Sequence, residues 1–392
     1  MTMKQSSRIE SIDIFRGFTI FMMVFVNDLA GVRGLPAWMG HALPGQDWMT
    51  FVDVVFPAFL FIVGMAIPFA VGNRISKGQT MIQIMRHSSV RIFGLLILGF
   101  FMVNAEEMNR EANLIPRSIW NILLYISAIM IWNQYPKVED WKRHLFRGMQ
   151  AVGIVTLIFL WFTFRKGVDG NMGMTPSWWG ILGLIGWAYA IAMAVYLVLK
   201  EDQLAIAAVL ATFIIAVTGL KSEASNLPSW LTLFRGQANH LSHASLTLAG
   251  MLLGIWVKER DHKKFFTRAV FMTVFLFVAG YFLRPIHGIA KNGATPSWVL
   301  YSAGFCCITY MLMYWLADVK HWKRWATFLK PAGTNPLLTY ILPFIFYAAI
   351  GYSFLPSALK EGAPGFIRSV IFSFFILGVA AILTRARVRL HL

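Results

Sequence analysis

The chain has little charge and few cysteines. Only 14% of its 392 residues are charged, whereas 57% are hydrophobic and the mean hydropathy is +0.61. A soluble domain of this length is not so apolar, which excludes that class. Its two cysteines, Cys306 and Cys307, are adjacent within an apolar run, and sequence neighbours rarely have the geometry for a mutual disulfide. A disulfide framework and a cysteine metal site are therefore excluded.

Three common catalytic sequence patterns are missing as well. The chain has no Walker-type phosphate loop, no dinucleotide-binding glycine fingerprint and no Gly-x-Ser-x-Gly turn. Nucleotide hydrolysis and serine hydrolase chemistry are therefore not expected, and no metal site is predicted.

Acidic residues are scarce. There are 18 Asp and Glu residues against 35 Lys and Arg, which gives a formal net charge of +17. In a soluble protein this excess would indicate nucleic acid as a partner. In so apolar a chain it is the positive-inside signal of many membrane loops. The predicted partner is therefore a lipid bilayer, and no nucleic acid is expected.

Long apolar runs predict an all-α, polytopic transmembrane helical bundle. A spanning helix needs about 20 apolar residues, which gives about 12 candidate helices, with about 10 as the alternative. With the N-terminus inside, about two thirds of the Lys and Arg residues fall on cytoplasmic segments, so both termini are predicted to be cytoplasmic. No linker separates soluble domains, so residues 1–392 are predicted to form a single domain. The candidate spans are 14–32, 51–71, 88–105, 117–133, 149–164, 178–199, 204–220, 240–257, 266–283, 297–317, 334–352 and 366–384.

Polar residues gather where the first two spans meet one interface, predicted to be extracytoplasmic. Asn27 and Asp28 end the first apolar run, Asp53 begins the second, and the loop between them contains Trp38 and His41. Polar and ionisable groups near a membrane interior are costly and usually retained for a task. The cluster is therefore the leading candidate for catalysis, with Asp28, Trp38 and Asp53 as candidate substrate-binding residues.

The chemistry of this cluster centres on the histidine. A neutral imidazole near a carboxylate or amide accepts a proton at neutral pH, which makes His41 the candidate general base. Asn27 is predicted to orient the ring or donate to an oxyanion. Asp53 is predicted to fix the imidazole tautomer or bind a cationic amine. Alternatively, it is an ordinary first-turn residue favoured by the helix dipole.

A second polar segment lies on the same predicted face, in residues 284–293. It is rich in hydrogen-bond donors and includes Arg284, His287 and Asn292. Such a segment suits a polyhydroxy or anionic ligand, so these three residues are candidate substrate contacts. The alternative is an ordinary basic loop.

Candidate cofactor contacts lie on the predicted inner face. Arg16 follows Asp13 by three residues inside the first apolar run. Arginine recognises phosphate through its fork geometry, although here it could simply pair with Asp13. Asn335 is a third candidate on this face, with a helix N-cap before Pro336 as the alternative.

A short repeat, Thr-Pro-Ser-Trp, occurs at residues 175–178 and 295–298. It could mark duplicated binding loops. A Thr N-cap followed by Pro at the first helical position and an interfacial Trp is, however, how an outward-facing membrane helix tends to begin. The repeat therefore predicts two helix starts.

Several motifs occur in an order typical of one enzyme family. They are Ser11–Gly17, Val24–Asn27, His41–Ala42, Asp53–Gly64, Ile115–Arg117, Arg284–Ile286 with Lys291–Asn292, and Gly333–Leu337. Together they resemble the heparan-α-glucosaminide N-acetyltransferase family and its bacterial relatives, a group of transmembrane acyltransferases. The chain departs from that pattern after the histidine, where Leu43–Trp48 replace the family's usual Trp-Asn-Gly.

The resemblance implies transfer of acetyl from cytosolic acetyl-CoA, the co-substrate, to a glucosamine amine on the far side of the membrane. It implies that His41 is the essential histidine and Asn27 its neighbouring asparagine. The CoA nucleotide would rest near Arg16, and the acceptor would be an amino sugar or related glycan. The protein is accordingly expected in a bacterial inner membrane, and homodimerisation is left open.

Alternatives stay open at this point. Transfer could be direct or pass through an acetyl-histidine intermediate. The acceptor could instead be a hydroxyl of an envelope polysaccharide. A polytopic transporter is the competing class, although it would bind its substrate near the membrane midplane.

Overall fold

The computed structural model describes residues 9–139, 141–222 and 228–390. Within these ranges the backbone is mostly helical, with isolated β-bridges and no strand. The helices are α1 (Glu10–Leu29), α2 (Val52–Ser76), α3 (Met81–Glu106), α4 (Arg117–Trp132), α5 (Trp141–Thr163), α6 (Ile181–Leu199), α7 (Gln203–Lys221), α8 (Ser229–Arg235), α9 (Ala238–Lys258), α10 (His262–His287), α11 (Pro296–Tyr314), α12 (Lys330–Thr334), α13 (Pro336–Ile350) and α14 (Gly362–Arg385).

The predicted all-α, polytopic class is confirmed, and the protein is an integral membrane protein. Every predicted span coincides with a helix. In the described ranges, 9 helices are long and apolar enough to cross a membrane, or 10 if the bent pair Arg324–Thr334 and Pro336–Ile350 is one span. The prediction of about 12 exceeds this count because α1 carries several charged residues and α4 is only 16 residues long.

The described residues cluster into two compact units. The first contains residues up to Met22, Pro36–Ile84 and Ala188–Thr334. The second contains Met23–Leu35, Met85–Trp187 and residues from Asn335 onwards. Each unit draws on separate stretches of the chain, and the prediction of a single domain stays a prediction.

In the first unit, α2 packs against α9 through glycines. A Cβ atom on Gly250 would lie 1.9 Å from the carbonyl oxygen of Phe61, and one on Gly64 would lie 1.8 Å from that of Thr247. The two backbones are therefore in direct contact, as at the small-residue interfaces of other membrane helices. This contact fixes α2, whose first turn contains Asp53.

The start of α2 is also tied to the start of α11. The indole Nε1 of Trp298 donates to the backbone carbonyl oxygen of Asp53 at 3.2 Å, and Trp298 is fully buried. Thr295 and Pro296 begin α11 at its N-cap and first helical position, as the repeat predicts. At residues 175–178 the same prediction is wrong, since α6 begins only at Ile181.

Candidate active site

His41 and Asp53 form a hydrogen-bonded pair in the first unit. Nδ1 of His41 lies 2.7 Å from Oδ1 of Asp53. The His41 side chain is 42% exposed, whereas that of Asp53 is 1% exposed. A ligand can therefore reach the imidazole while the carboxylate stays shielded behind it.

The Asp53 carboxylate is held in place by the chain around it. Its Oδ2 accepts the backbone N–H groups of Ala42 at 3.2 Å and Thr50 at 3.0 Å. The Thr50 hydroxyl donates to the carbonyl oxygen of Gly40 at 2.7 Å, which closes the loop next to His41. Asp53 is in the first turn of α2, where the helix dipole favours a negative charge.

This arrangement sets the tautomer of His41. An ionised carboxylate only accepts hydrogen bonds, so Nδ1 carries the proton shared with Asp53. Nε2 is then left with a lone pair that can accept a proton from a substrate. The pair is thus equipped for general base catalysis, with Asp53 orienting the ring and stabilising its protonated form.

Lys291 is a third member of the site. Its Nζ lies 3.1 Å from Nε2 and 3.2 Å from Nδ1 of His41. Burial lowers the pKa of the Lys291 ammonium below its ordinary 10.5, and the nearby charge of Asp53 opposes that change. Sequence reasoning did not assign Lys291 to the site, although Lys291–Asn292 was among the family motifs.

The loop containing Lys291 is attached to the loop containing His41 through Asp47. Oδ1 of Asp47 accepts the backbone N–H of Ile289 at 2.7 Å, and Oδ2 accepts Nε of Arg284 at 2.9 Å. Gly288 has φ +64°, and a Cβ there would lie 3.2 Å from the Asp47 carboxylate. Arg284, a predicted substrate contact, is therefore engaged in joining the two loops.

The other predicted substrate contacts of the first unit lie around this site. Trp38 is 54% exposed, and its ring centroid lies 6.0 Å from that of Phe51. Asn292 is exposed next to Lys291. Nε2 of His287 lies 2.9 Å from the carbonyl oxygen of Thr218, so this histidine is engaged within the protein. Trp38 and Asn292 remain available to a ligand.

The predicted inner-face residues of the first unit are in contact with one another. Arg16 donates to Asp13 and to the carbonyl oxygen of Gly333, both at 3.4 Å. Its side chain is 28% exposed. The alternative pairing with Asp13 is therefore present, and the phosphate role of Arg16 stays a prediction.

Three predicted site residues lie in the second unit. Asn27 is exposed on α1. Asp28 is buried, where it pairs with Arg368 at 2.8 Å and accepts a hydrogen bond from the Tyr347 hydroxyl. Asn335 is fully buried at the N-cap position of α13, and its amide bonds Thr384 and the backbone of residues 388 and 390. The roles assigned to these three residues stay predictions.

A cavity of about 400 Å³ is lined in part by Thr50, whose backbone N–H donates to Asp53 at 3.0 Å. It lies between α1, α2 and α11, and its lining is mostly apolar. Thr50 lines one end of it, and Phe15, next to Arg16 in sequence, also lines it. The cavity therefore borders a hydrogen-bond partner of Asp53 at Thr50 and borders α1 at Phe15.

The fold and the site together define a polytopic helical membrane protein with a carboxylate-oriented histidine and an apolar cavity lined in part by Thr50. The chain belongs to the family described as a domain of unknown function, DUF5009, whose model matches residues 8–257.

Two mammalian proteins are similar to part of this chain. Heparan-alpha-glucosaminide N-acetyltransferase of Homo sapiens is 32% identical over 97 residues, which cover 25% of this chain and 14% of the human protein. The Mus musculus protein of the same name is 29% identical over 99 residues, again 25% of this chain and 14% of the relative. The chain thus matches only a small part of the length of these curated relatives, and it is a distant relative of their family.

Proposed function

We propose that this protein is a transmembrane acetyltransferase. It moves acetyl from cytosolic acetyl-CoA to the amine of a glucosamine-type sugar on the extracytoplasmic side. The observation that carries the proposal is the His41–Asp53 pair, with Nδ1 and Oδ1 2.7 Å apart. The names of the mammalian relatives support the choice of reaction and acceptor.

His41 acts as the general base. Its exposed Nε2 takes a proton from the acceptor amine while Asp53 stabilises the imidazolium that forms. The nitrogen of the acceptor attacks the thioester carbonyl, whose oxygen becomes an oxyanion. The oxyanion role of Asn27 stays a prediction. The protonated imidazole then returns its proton to the CoA thiolate.

The apolar cavity lined by Thr50, a hydrogen-bond partner of Asp53, supports a route for the thioester. CoA carries several phosphate charges, which are too costly to desolvate for its nucleotide to cross a bilayer. The nucleotide therefore stays at the inner face, where Arg16, oriented by Asp13, binds phosphate. The uncharged pantetheine arm occupies the apolar cavity, and its thioester reaches Thr50 and His41.

The acceptor binds at the loops around His41. Trp38 offers an aromatic face for a sugar ring, and Asn292 offers an amide. A polysaccharide hydroxyl is the alternative acceptor, because the same base could activate it. The enzyme works in a bacterial inner membrane with both termini cytoplasmic.

The test is transfer of radiolabelled acetyl from acetyl-CoA to glucosamine by purified protein in detergent. The parent, His41→Ala and His41→Gln are compared, with His144→Ala as the matched control because His144 is an exposed histidine on α5. We expect transfer by the parent and the control and loss of transfer in both His41 variants. Equal transfer by all four proteins would remove His41 from the mechanism. Saturable uptake of glucosamine without acetyl consumption would favour the transporter class.

A further inference from the structure

We propose that Lys291 is a catalytic residue whose ammonium binds the thioester carbonyl oxygen as that oxygen becomes an oxyanion. This inference rests on the proposed acetyl transfer and adds a cation to the predicted amide donor, Asn27. It is based on the position of Nζ beside the His41 ring and on the hydrogen bonds that hold the loop containing Lys291 in place.

The two distances from Nζ to the ring define where the ammonium lies. Nζ is 3.1 Å from Nε2 and 3.2 Å from Nδ1 of His41. The two ring nitrogens flank Cε1, so a group this close to both would collide with Cε1 if it lay in the ring plane. Nζ therefore lies over the face of the imidazole. The in-plane lone pair of Nε2 stays free to accept the proton of an acceptor amine.

A reacting group at Nε2 would be within reach of Lys291. An amine that donates to Nε2 lies about 3 Å from it in the ring plane. The carbonyl carbon under attack is one bond further, and its oxygen can turn towards the ammonium above the ring. General base and oxyanion donor thus meet at one reacting centre, as acyl transfer requires.

The loop that contains Lys291 is fixed on both sides. On one side, the backbone N–H of Ile289 donates to Asp47 at 2.7 Å. On the other, the Ser242 hydroxyl donates to the carbonyl oxygen of Ala294 at 2.7 Å, and Lys221 also bonds that oxygen. Thr295 donates across the loop to the carbonyl oxygen of Gly288 at 3.0 Å. A donor held in this way needs little reorganisation during the reaction.

A half-buried ammonium suits this role. Hydrogen bonds from a charged donor are roughly twice as strong as those from a neutral one. The difference in strength between charged and neutral hydrogen bonds grows in a site of low dielectric constant. The Asp53 carboxylate is engaged with His41, Ala42 and Thr50, so the Lys291 side chain is left to bind a substrate oxygen.

The transfer conserves electrons and protons. The amine lone pair forms a C–N bond, the carbonyl π pair moves to oxygen beside Lys291, and the amine proton moves to Nε2 of His41. The oxyanion then reforms the carbonyl, the C–S bond breaks, and its electron pair goes to sulfur. His41 returns the proton to that thiolate, and Lys291 keeps its own proton throughout.

The test measures kcat and KM separately for the parent, Lys291→Met and Lys291→Arg. Lys264→Met is the matched control, because its side chain is 66% exposed and far from His41 in sequence. We expect Lys291→Met to lower kcat by about 100- to 1,000-fold with KM for both substrates nearly unchanged, because the lost contact exists only in the transition state. The control should match the parent.

Chemical rescue makes the test independent of folding. Lys291→Cys is treated with 2-bromoethylamine, which rebuilds a lysine-like side chain. Cys306 and Cys307 are buried, so alkylation is directed to the introduced thiol. We expect recovery of most of the lost kcat after alkylation.

The outcomes separate the two proposals. If the parent transfers acetyl and Lys291→Met does so with equal kcat, the oxyanion role is overturned and the acetyltransferase stands. A rise in KM for the sugar with unchanged kcat would likewise overturn it and assign Lys291 to acceptor binding. No transfer by the parent would overturn the acetyltransferase itself, and this inference with it.

Discussion

Nε of Arg284 donates to Oδ2 of Asp47 at 2.9 Å. This ion pair joins the loop that contains His41 to the segment that contains Lys291, although the two partners are 237 residues apart. The relative placement of His41 and the Lys291 ammonium therefore depends on a contact that involves neither of them directly.

Loss of Asp47 is predicted to lower kcat more than loss of Arg284 does. An exposed ion pair contributes about 0–1 kcal/mol, but Asp47 also accepts the backbone N–H of Ile289 at 2.7 Å. We expect Asp47→Ala to lower kcat by about 10- to 100-fold through misplacement of Lys291, and Arg284→Ala to lower it much less. Asp47→Asn keeps an oxygen acceptor and should be intermediate. Equal effects of Asp47→Ala and Arg284→Ala on acetyl transfer would contradict this account.

Gly250→Ala is predicted to destabilise the first unit. Its Cβ would lie 1.9 Å from the carbonyl oxygen of Phe61, so α9 would have to move away from α2. The matched control is Gly378→Ala, because no atom lies within 4 Å of the added Cβ there. We expect a lower Tm in detergent for Gly250→Ala and an unchanged or higher Tm for the control, since alanine favours helix. Two equal Tm values would show that the helices are not in backbone contact.

The buried Asp28–Arg368 pair is predicted to be strongly coupled. The side chains are 1% and 10% exposed, so removing one partner leaves a buried charge. We expect Asp28→Asn or Arg368→Met alone to cost about 3–5 kcal/mol of unfolding free energy. The double variant should cost less than the sum of the two, and a double-mutant cycle in denaturant measures the difference. Additive losses of unfolding free energy would contradict the coupling between Asp28 and Arg368.

The Glu107–Lys166 pair is predicted to make stability depend on pH. The hydrogen bond from Lys166, at 2.6 Å, lowers the pKa of the Glu107 carboxyl below its ordinary 4.5. A lowered folded-state pKa stabilises the fold above pH 4.5, and that contribution is lost as pH falls through the folded value. The Tm difference between the parent and Lys166→Met should therefore be present at pH 7 and shrink below pH 4.5. A Tm difference that grows below pH 4.5 would contradict the lowered pKa of Glu107.

Helices were the easiest part to predict from sequence, because an apolar run of spanning length has few alternatives in a membrane. Helix starts were harder. Thr295 and Pro296 begin α11 as predicted, whereas Thr175 does not begin a helix. There the amide of Asn104 both accepts from and donates to the Thr175 backbone at 3.1 Å, which holds the segment extended. That contact comes from a distant helix and leaves no local sequence signal.

The site was predictable where its parts are near in sequence. His41 and Asp53 are separated by 12 residues, and both flank the start of one apolar run. Lys291 is 250 residues from His41, and Arg368 is 340 residues from Asp28. Only the fold brings such partners together. A charge inside an apolar span was the one available signal for Arg368.

The most direct test of the central claim is single-turnover acetyl transfer by Asp53→Asn. Asparagine keeps the shape of the side chain but no longer fixes the tautomer that leaves Nε2 as the base. Asp169→Asn, at an exposed aspartate, is the matched control. We predict that Asp53→Asn transfers acetyl about 100- to 10,000-fold more slowly than the parent, and that the control is unchanged. Transfer by Asp53→Asn at the parental rate would contradict the His41–Asp53 mechanism.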